Sequence, residues 1–214
     1  MQIAVKAGVE EKRAFLSKVI PPGITIQWLE ENDLLAGAKA DVYFDLLFNS
    51  EFIVADEFIT GKPVFVNGVT CTAADLQHNN YVRLNAWAGF LERPVTELAA
   101  ANEDAKAAAE NVFNTLGWQY TWVPDAPGMV AARVVSMIIN EAFFALADGI
   151  STREEIDIAM KLGTNYPYGP FEWGRKIGLA NIYFLLKKLQ KQHGNRYAAA
   201  PLLEQEATHH GVIA

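Results

Sequence analysis

The chain has 214 residues, 51% hydrophobic and 20% charged, with a formal net charge of −7. This is the composition of a soluble globular protein, long enough for one large domain or two small ones. The acidic balance argues against a general binder of nucleic acid or of anionic membranes. Cys71 is the single cysteine, so no internal disulfide is possible, and no Cys/His spacing suits zinc; both points fit a reducing cytoplasm.

The opening MQIAVKAGVEEKRAF turns charged before any long apolar run forms, which predicts no signal peptide. Its QIAVK reads as a strand and EEKRAFLSKVI as a helix. ITIQW (Ile24 to Trp28) is β-branched and follows the breaker Pro21-Pro22-Gly23. DVYFDLLF (Asp41 to Phe48) and KPVFVN (Lys62 to Asn67) flank a helical pattern from Ser50 to Ile59. YVRLNAW (Tyr81 to Trp87) reads as a further strand. The Ala-rich helix Glu103 to Gly117, capped by its glycine, leads to a last strand in WQYTWV (Trp118 to Val123). Strands alternating with helices predict a parallel sheet covered on both faces.

After Pro124 to Gly128 the strand signals stop. Met129 to Ala147 approaches membrane-spanning length, but Arg133, Asn140 and Glu141 interrupt it, so it reads as a buried helix. A second helix, Ser151 to Leu162, starts behind the capping box Ser151-Thr152-Arg153-Glu154. Others are predicted near Phe171 to Ile177, Leu179 to Gln192 and Pro201 to Ala207. A domain boundary falls near Asp125, separating residues 1–125 from 126–214. Arg175, Lys176, Lys187, Lys188 and Lys191 read as a solvated helix face or as a local basic patch.

Between two of these helices lies YPYGPFEWGRKIGL (Tyr166 to Leu179), rich in aromatics, proline and glycine. Pro167 and Pro170 fix their own φ and hold Tyr166 and Gly169 out of helical geometry. Pro170 suits a first helical turn, where its missing N–H is no loss. The stretch predicts a rigid helix start whose aromatics dock onto a neighbour.

The segment from Pro127 to Trp173 resembles the helical domain of the 3-hydroxyacyl-CoA dehydrogenases. The matching features are the Pro-Gly entry, Asn140-Glu141-Ala142, the Asp157-x-Ala-Met-Lys-Leu-Gly run and the Tyr166-Pro-x-Gly-Pro-Phe-Glu hinge. RYAAAPLL (Arg196 to Leu203) is similar to that family's ending. The resemblance implies a reduced Rossmann-like parallel domain followed by an all-helical domain. It also implies a homodimer through the helical domain, an acyl-CoA ligand and NAD as cofactor.

Several working positions depart from the family, while the orienting carboxylate is kept. The family's Gly-rich turn, where pyrophosphate meets helix N–H groups, is here KAGVEEKRAF with the single Gly8. Glu10 and Glu11 stand where phosphate would approach. Glu30 and Glu31 follow the second strand, where a ribose-binding acid is expected, although helix-start acids account for them equally well. The resemblance aligns Asn85 with the catalytic histidine, Glu97 with the carboxylate that orients it, and Ala132 with a catalytic asparagine, with Arg133 kept. Thr70 or Thr72 is the counterpart of a hydroxyl in the family's Asn-Thr-Ser-Ser segment. Asn85 has no titratable proton and serves only as a hydrogen-bonding group. Glu97 reads as a remnant of the site or as an exposed helix carboxylate. His78 is the nearest replacement base, against a solvated turn histidine; His193, His209 and His210 read as solvent-exposed. Two readings follow, an NAD-dependent 3-hydroxyacyl-CoA dehydrogenase with a relocated base and a non-catalytic relative that binds or assembles.

Overall fold

The computed structural model describes residues 1–49, 59, 61–76 and 78–209. They form two compact units, Met1–Met129 and Val130–Ala214. The helical pattern expected from Ser50 to Ile59 lies, apart from Ile59, outside the described residues.

The first unit is a sheet of seven strands in the order β2-β1-β3-β4-β5-β6-β7. In chain order these are Gln2–Lys6, Thr25–Leu29, Val42–Asp45, Val64–Val66, Tyr81–Leu84, Val95–Ala100 and Gln119–Trp122. All neighbours run parallel except β5 and β6. The sheet is thus the mainly parallel one expected from the sequence, with one antiparallel pair and one strand more than the pattern announced. The extra strand is VTELAA, whose alanines merge in sequence with the Ala-rich helix that follows.

Period-two alternation sorts each strand's side chains between two cores. Ile3, Val5, Phe44, Phe65 and Val82 enter one, beneath helices α1 (Val9–Leu16) and α3 (Glu103–Leu116). Phe15, Phe44, Phe65, Phe113 and Trp118 form a continuous aromatic cluster there, with centroids 4.7–6.1 Å apart. Ala4, Tyr43, Val64, Val66 and Tyr81 enter the other, with Cys71 of the preceding loop and Leu76 of the short helix α2 (Ala73–Leu76). Asn102 caps α3 by accepting from the Ala105 N–H at 2.9 Å, and Gly117 ends it in the left-handed conformation.

The second unit contains α4 (Ala131–Ala147), α5 (Arg153–Thr164), α6 (Pro170–Ile177), α7 (Leu179–His193) and α8 (Pro201–His209). No helix of the described residues is long and apolar enough to cross a membrane. The capping box of α5 sits one residue later than expected: Thr152 is the cap and Glu155 its partner, because Ser151 instead donates to the Glu155 carboxylate at 2.5 Å.

The aromatic loop is fixed by a carboxylate. Asp157, buried in the middle of α5, accepts from the Phe171 N–H at 2.7 Å and the Glu172 N–H at 3.2 Å, capping α6 from a neighbouring helix. A methyl group on Gly169 would overlap the Asp157 backbone, so only glycine permits this approach. Phe171 then packs on Phe143 at 5.1 Å and Tyr168 on Trp173 at 4.8 Å. Glu172 accepts from Lys161 and from the Gly169 N–H, which together hold its carboxyl below the usual carboxylate range. Two distant motifs also meet. Asn140 of α4 donates to Ala198 O at 2.9 Å and accepts from the Ala200 N–H at 2.7 Å, while Arg133 donates to the Tyr197 hydroxyl at 2.6 and 3.0 Å.

Candidate active site

Strand order reverses around β1, which sends the chain first to β2 and then to β3 on its other side. The crevice at such a switch point, beyond the carboxyl ends of the strands, is where open α/β sheets bind ligands. Asp45, Asn67 and Asn85 all follow or end strands at that edge.

Asn67 ties three strand ends together. Its amide donates to Leu46 O at 3.3 Å and accepts from the Ala86 N–H at 3.1 Å. Beside it Asn85, 2% exposed, donates through Nδ2 to Glu97 Oε2 at 3.3 Å and accepts from the Trp87 N–H at 3.4 Å. The antiparallel register that pairs Leu84 with Leu98 places Asn85 opposite Glu97, and the Asn85 N–H also donates to Glu97 O at 3.3 Å. Glu97 therefore lies on β6, partly buried, and not on a helix. A neutral amide facing a carboxylate holds position but moves no proton.

The other candidates fall elsewhere. Thr70 lies partly buried on the loop after β4, and Thr72 uses its hydroxyl to accept from the Asp75 N–H at 3.2 Å. His78 precedes β5 while Asn85 follows it, so the strand alone separates them by about 13 Å at roughly 3.3 Å per residue. Its ring leans on Tyr81. Glu31 is exposed after β2, His193 and His209 are exposed late in α7 and α8, and His210 lies outside the described residues. Ala132 is fully buried in α4, in the helical unit. Among the described residues no group of three or more His, Cys, Asp or Glu is placed to hold a metal.

The turn from β1 to α1 does not fit a dinucleotide. Gly8 caps α1 with extended backbone, and its missing Cβ would stand 2.8 Å from Glu11 Oε2 and 3.8 Å from a Leu47 methyl. The Glu11 carboxylate thus stands over the place where pyrophosphate would need open N–H groups, with Leu47 at ordinary contact distance. Glu10 pairs with Arg13, and Lys12 bridges at 2.6 Å to Glu30 beyond β2. Outside these pairings the first turn presents the Glu11 carboxylate, a like charge to phosphate.

Sequence reading passed over Arg83. It is fully buried on the second face of the sheet, donates to Gly68 O at 2.7 Å and Ala126 O at 3.1 Å, and pairs with Asp125. The signal available was a lone arginine inside an otherwise apolar strand.

Residues 128–212 match the family described as 3-hydroxyacyl-CoA dehydrogenase, C-terminal domain. Over residues 128–212 the chain therefore carries the C-terminal domain of the 3-hydroxyacyl-CoA dehydrogenases. It is 42% identical over 117 residues to the 3-hydroxyadipyl-CoA dehydrogenase of Escherichia coli (strain K12), a match covering 53% of this chain and 25% of that protein. The crystal structure of the 3-hydroxybutyryl-CoA dehydrogenase of E. coli K12 is similar at 37% identity and a TM-score of 0.59, over 69% of this chain and 32% of that one. The chain thus spans about a quarter to a third of the length of these dehydrogenases. FadB2 of M. tuberculosis shares 16% identity with a TM-score of 0.71, over 97% of this chain and 93% of that one, which shows a common fold.

Proposed function

We propose that this chain is a non-catalytic member of the 3-hydroxyacyl-CoA dehydrogenase family, serving as an acyl-CoA-binding or assembly subunit. The observation that carries the reading is the Asn85–Glu97 pair. The carboxylate that would orient a catalytic histidine faces an amide, which does not ionise near neutral pH and so cannot act as an acid or base. The Glu11 carboxylate over the turn at Gly8 supports the same reading, as does Ala132, which leaves a methyl where the family resemblance puts an asparagine. An acyl-CoA ligand remains compatible with it, because its phosphates need not use the β1–α1 turn.

The cofactor part is tested by calorimetry with NADH and NAD. The expected outcome is no binding tighter than about 1 mM. A low-micromolar dissociation constant for either form would overturn it.

The assembly part is a homodimer through α4. Val130 and Val134 are about half exposed, and Ile138 continues that stripe one turn on. Light scattering is expected to give twice the 23.6 kDa chain mass, with Ile138→Arg giving a folded monomer. A wild-type monomer at micromolar concentration would contradict it.

A further inference from the structure

The helical unit carries a cleft of about 530 Å³, within the roughly 300–1,000 Å³ range of small-molecule sites. Its apolar walls are the rings of Phe143 and Phe171 with Leu179 and Ala180. Its charged groups are Arg153, Arg175 and Glu206, so two cations face one anion.

The two arginines are held differently. Arg153 pairs with Glu206 and lies over the rings of Phe143 and Phe171, at 5.2 and 4.9 Å from their centroids. That stacking keeps its guanidinium plane against the apolar wall. The Arg175 side chain is 66% exposed, and its ion pair to Asp157 is a loose 3.8 Å. Asp157 is meanwhile engaged by the N–H groups of Phe171 and Glu172. Arg175 is therefore the cation most available to a ligand. The start of α7, which has no side-chain cap, adds positive potential to the same wall.

We propose that this cleft binds a monocarboxylate with an apolar body, an alkyl or aryl acid. The body lies against Phe143, Phe171, Leu179 and Ala180, and the carboxylate is taken by Arg175 with Arg153 contributing charge. Glu206 disfavours a second negative charge, and a neutral body leaves the arginine side unsatisfied. The site lies wholly within the helical unit and depends on nothing proposed for the sheet.

The test is titration of the full-length, isotope-labelled protein with octanoate, octanol and octylamine, followed by amide chemical shifts. Octanoate is expected to bind with a dissociation constant below about 1 mM and to shift Gly174, Arg175, Leu179 and Ala180. Octanol and octylamine should bind at least about tenfold more weakly. Arg175→Gln removes a loose 3.8 Å pair to the buried Asp157, which the Phe171 and Glu172 N–H groups still hold, so it should weaken octanoate about tenfold and lower the melting temperature by less than about 4 °C. Ala180→Trp should abolish binding by filling the cleft; if that variant does not fold, the Arg175→Gln comparison decides. Equal affinity for octanoate and octanol would overturn the proposal. So would shifts confined to other residues, octanoate binding unchanged in Arg175→Gln, or no binding by about 10 mM.

Discussion

Replacing Arg83 with methionine is expected to lower the unfolding free energy by about 3–5 kcal/mol, the usual cost of breaking a buried ion pair from one side. Arg83 has no exposed surface, and its guanidinium serves Gly68 O, Ala126 O and the Asp125 carboxylate. Methionine keeps the volume but leaves two carbonyls and a carboxylate without that donor. Asp125 retains only the Ala73 N–H, at 2.8 and 2.9 Å. Lysine should rescue little, because three acceptors in different directions need the planar fork. Asp125→Asn should cost less, since that side chain is a quarter exposed and partly solvated. Urea denaturation reads the result; a loss below about 1 kcal/mol for Arg83→Met would show that the pair does not hold the sheet unit together. The consequence reaches the candidate site, since Gly68 leads into the loop carrying Thr70, and Gly128 donates to Val69 O at 2.7 Å.

The parts of the fold legible in the sequence were those set by local period. QIAVK, the strand from Tyr81 and the helices after Gly128 all carry their own alternation or 3.6-residue repeat. The strand Val95–Ala100 does not, because Thr96 and Glu97 precede alanines that suit a helix equally well. Its direction is set by pairing with β5, which no local pattern announces. The same limit hid Arg83, whose acid lies 42 residues away, and Asp157, whose capped helix begins 13 residues on. The opposite case is Asn85 and Glu97. Family resemblance set them side by side as counterparts of a working pair, and the β5–β6 register brings them into contact. The aromatic loop was readable as a rigid helix start from its prolines, but its anchor was not, because Gly169 and Asp157 meet only once α5 and α6 pack.

What the chain keeps and what it has replaced fall on different levels. The sheet and the helical packing motifs are architecture, and the common fold shows them kept. On the proposed reading, the replaced positions are those that chemistry depends on: a proton-moving group at 85, a hydrogen-bonding side chain at 132 and an open phosphate turn at Gly8. A positioned acid or base contributes about a hundred- to ten-thousand-fold in rate. A side chain that stabilises a developing oxyanion contributes about a hundred- to a thousandfold. Groups acting as a unit do not simply multiply, so loss of the first already removes most of what the others add.

The most direct measurement is NADH oxidation by the purified chain with acetoacetyl-CoA and with a longer 3-ketoacyl-CoA. The account predicts no turnover above the protein-free control. It predicts the same for the double variant Asn85→His, Ala132→Asn, because the single Gly8 and the Glu11 carboxylate remain at the β1–α1 turn. Steady turnover by the wild-type chain that disappears in Asn85→Ala would contradict the account.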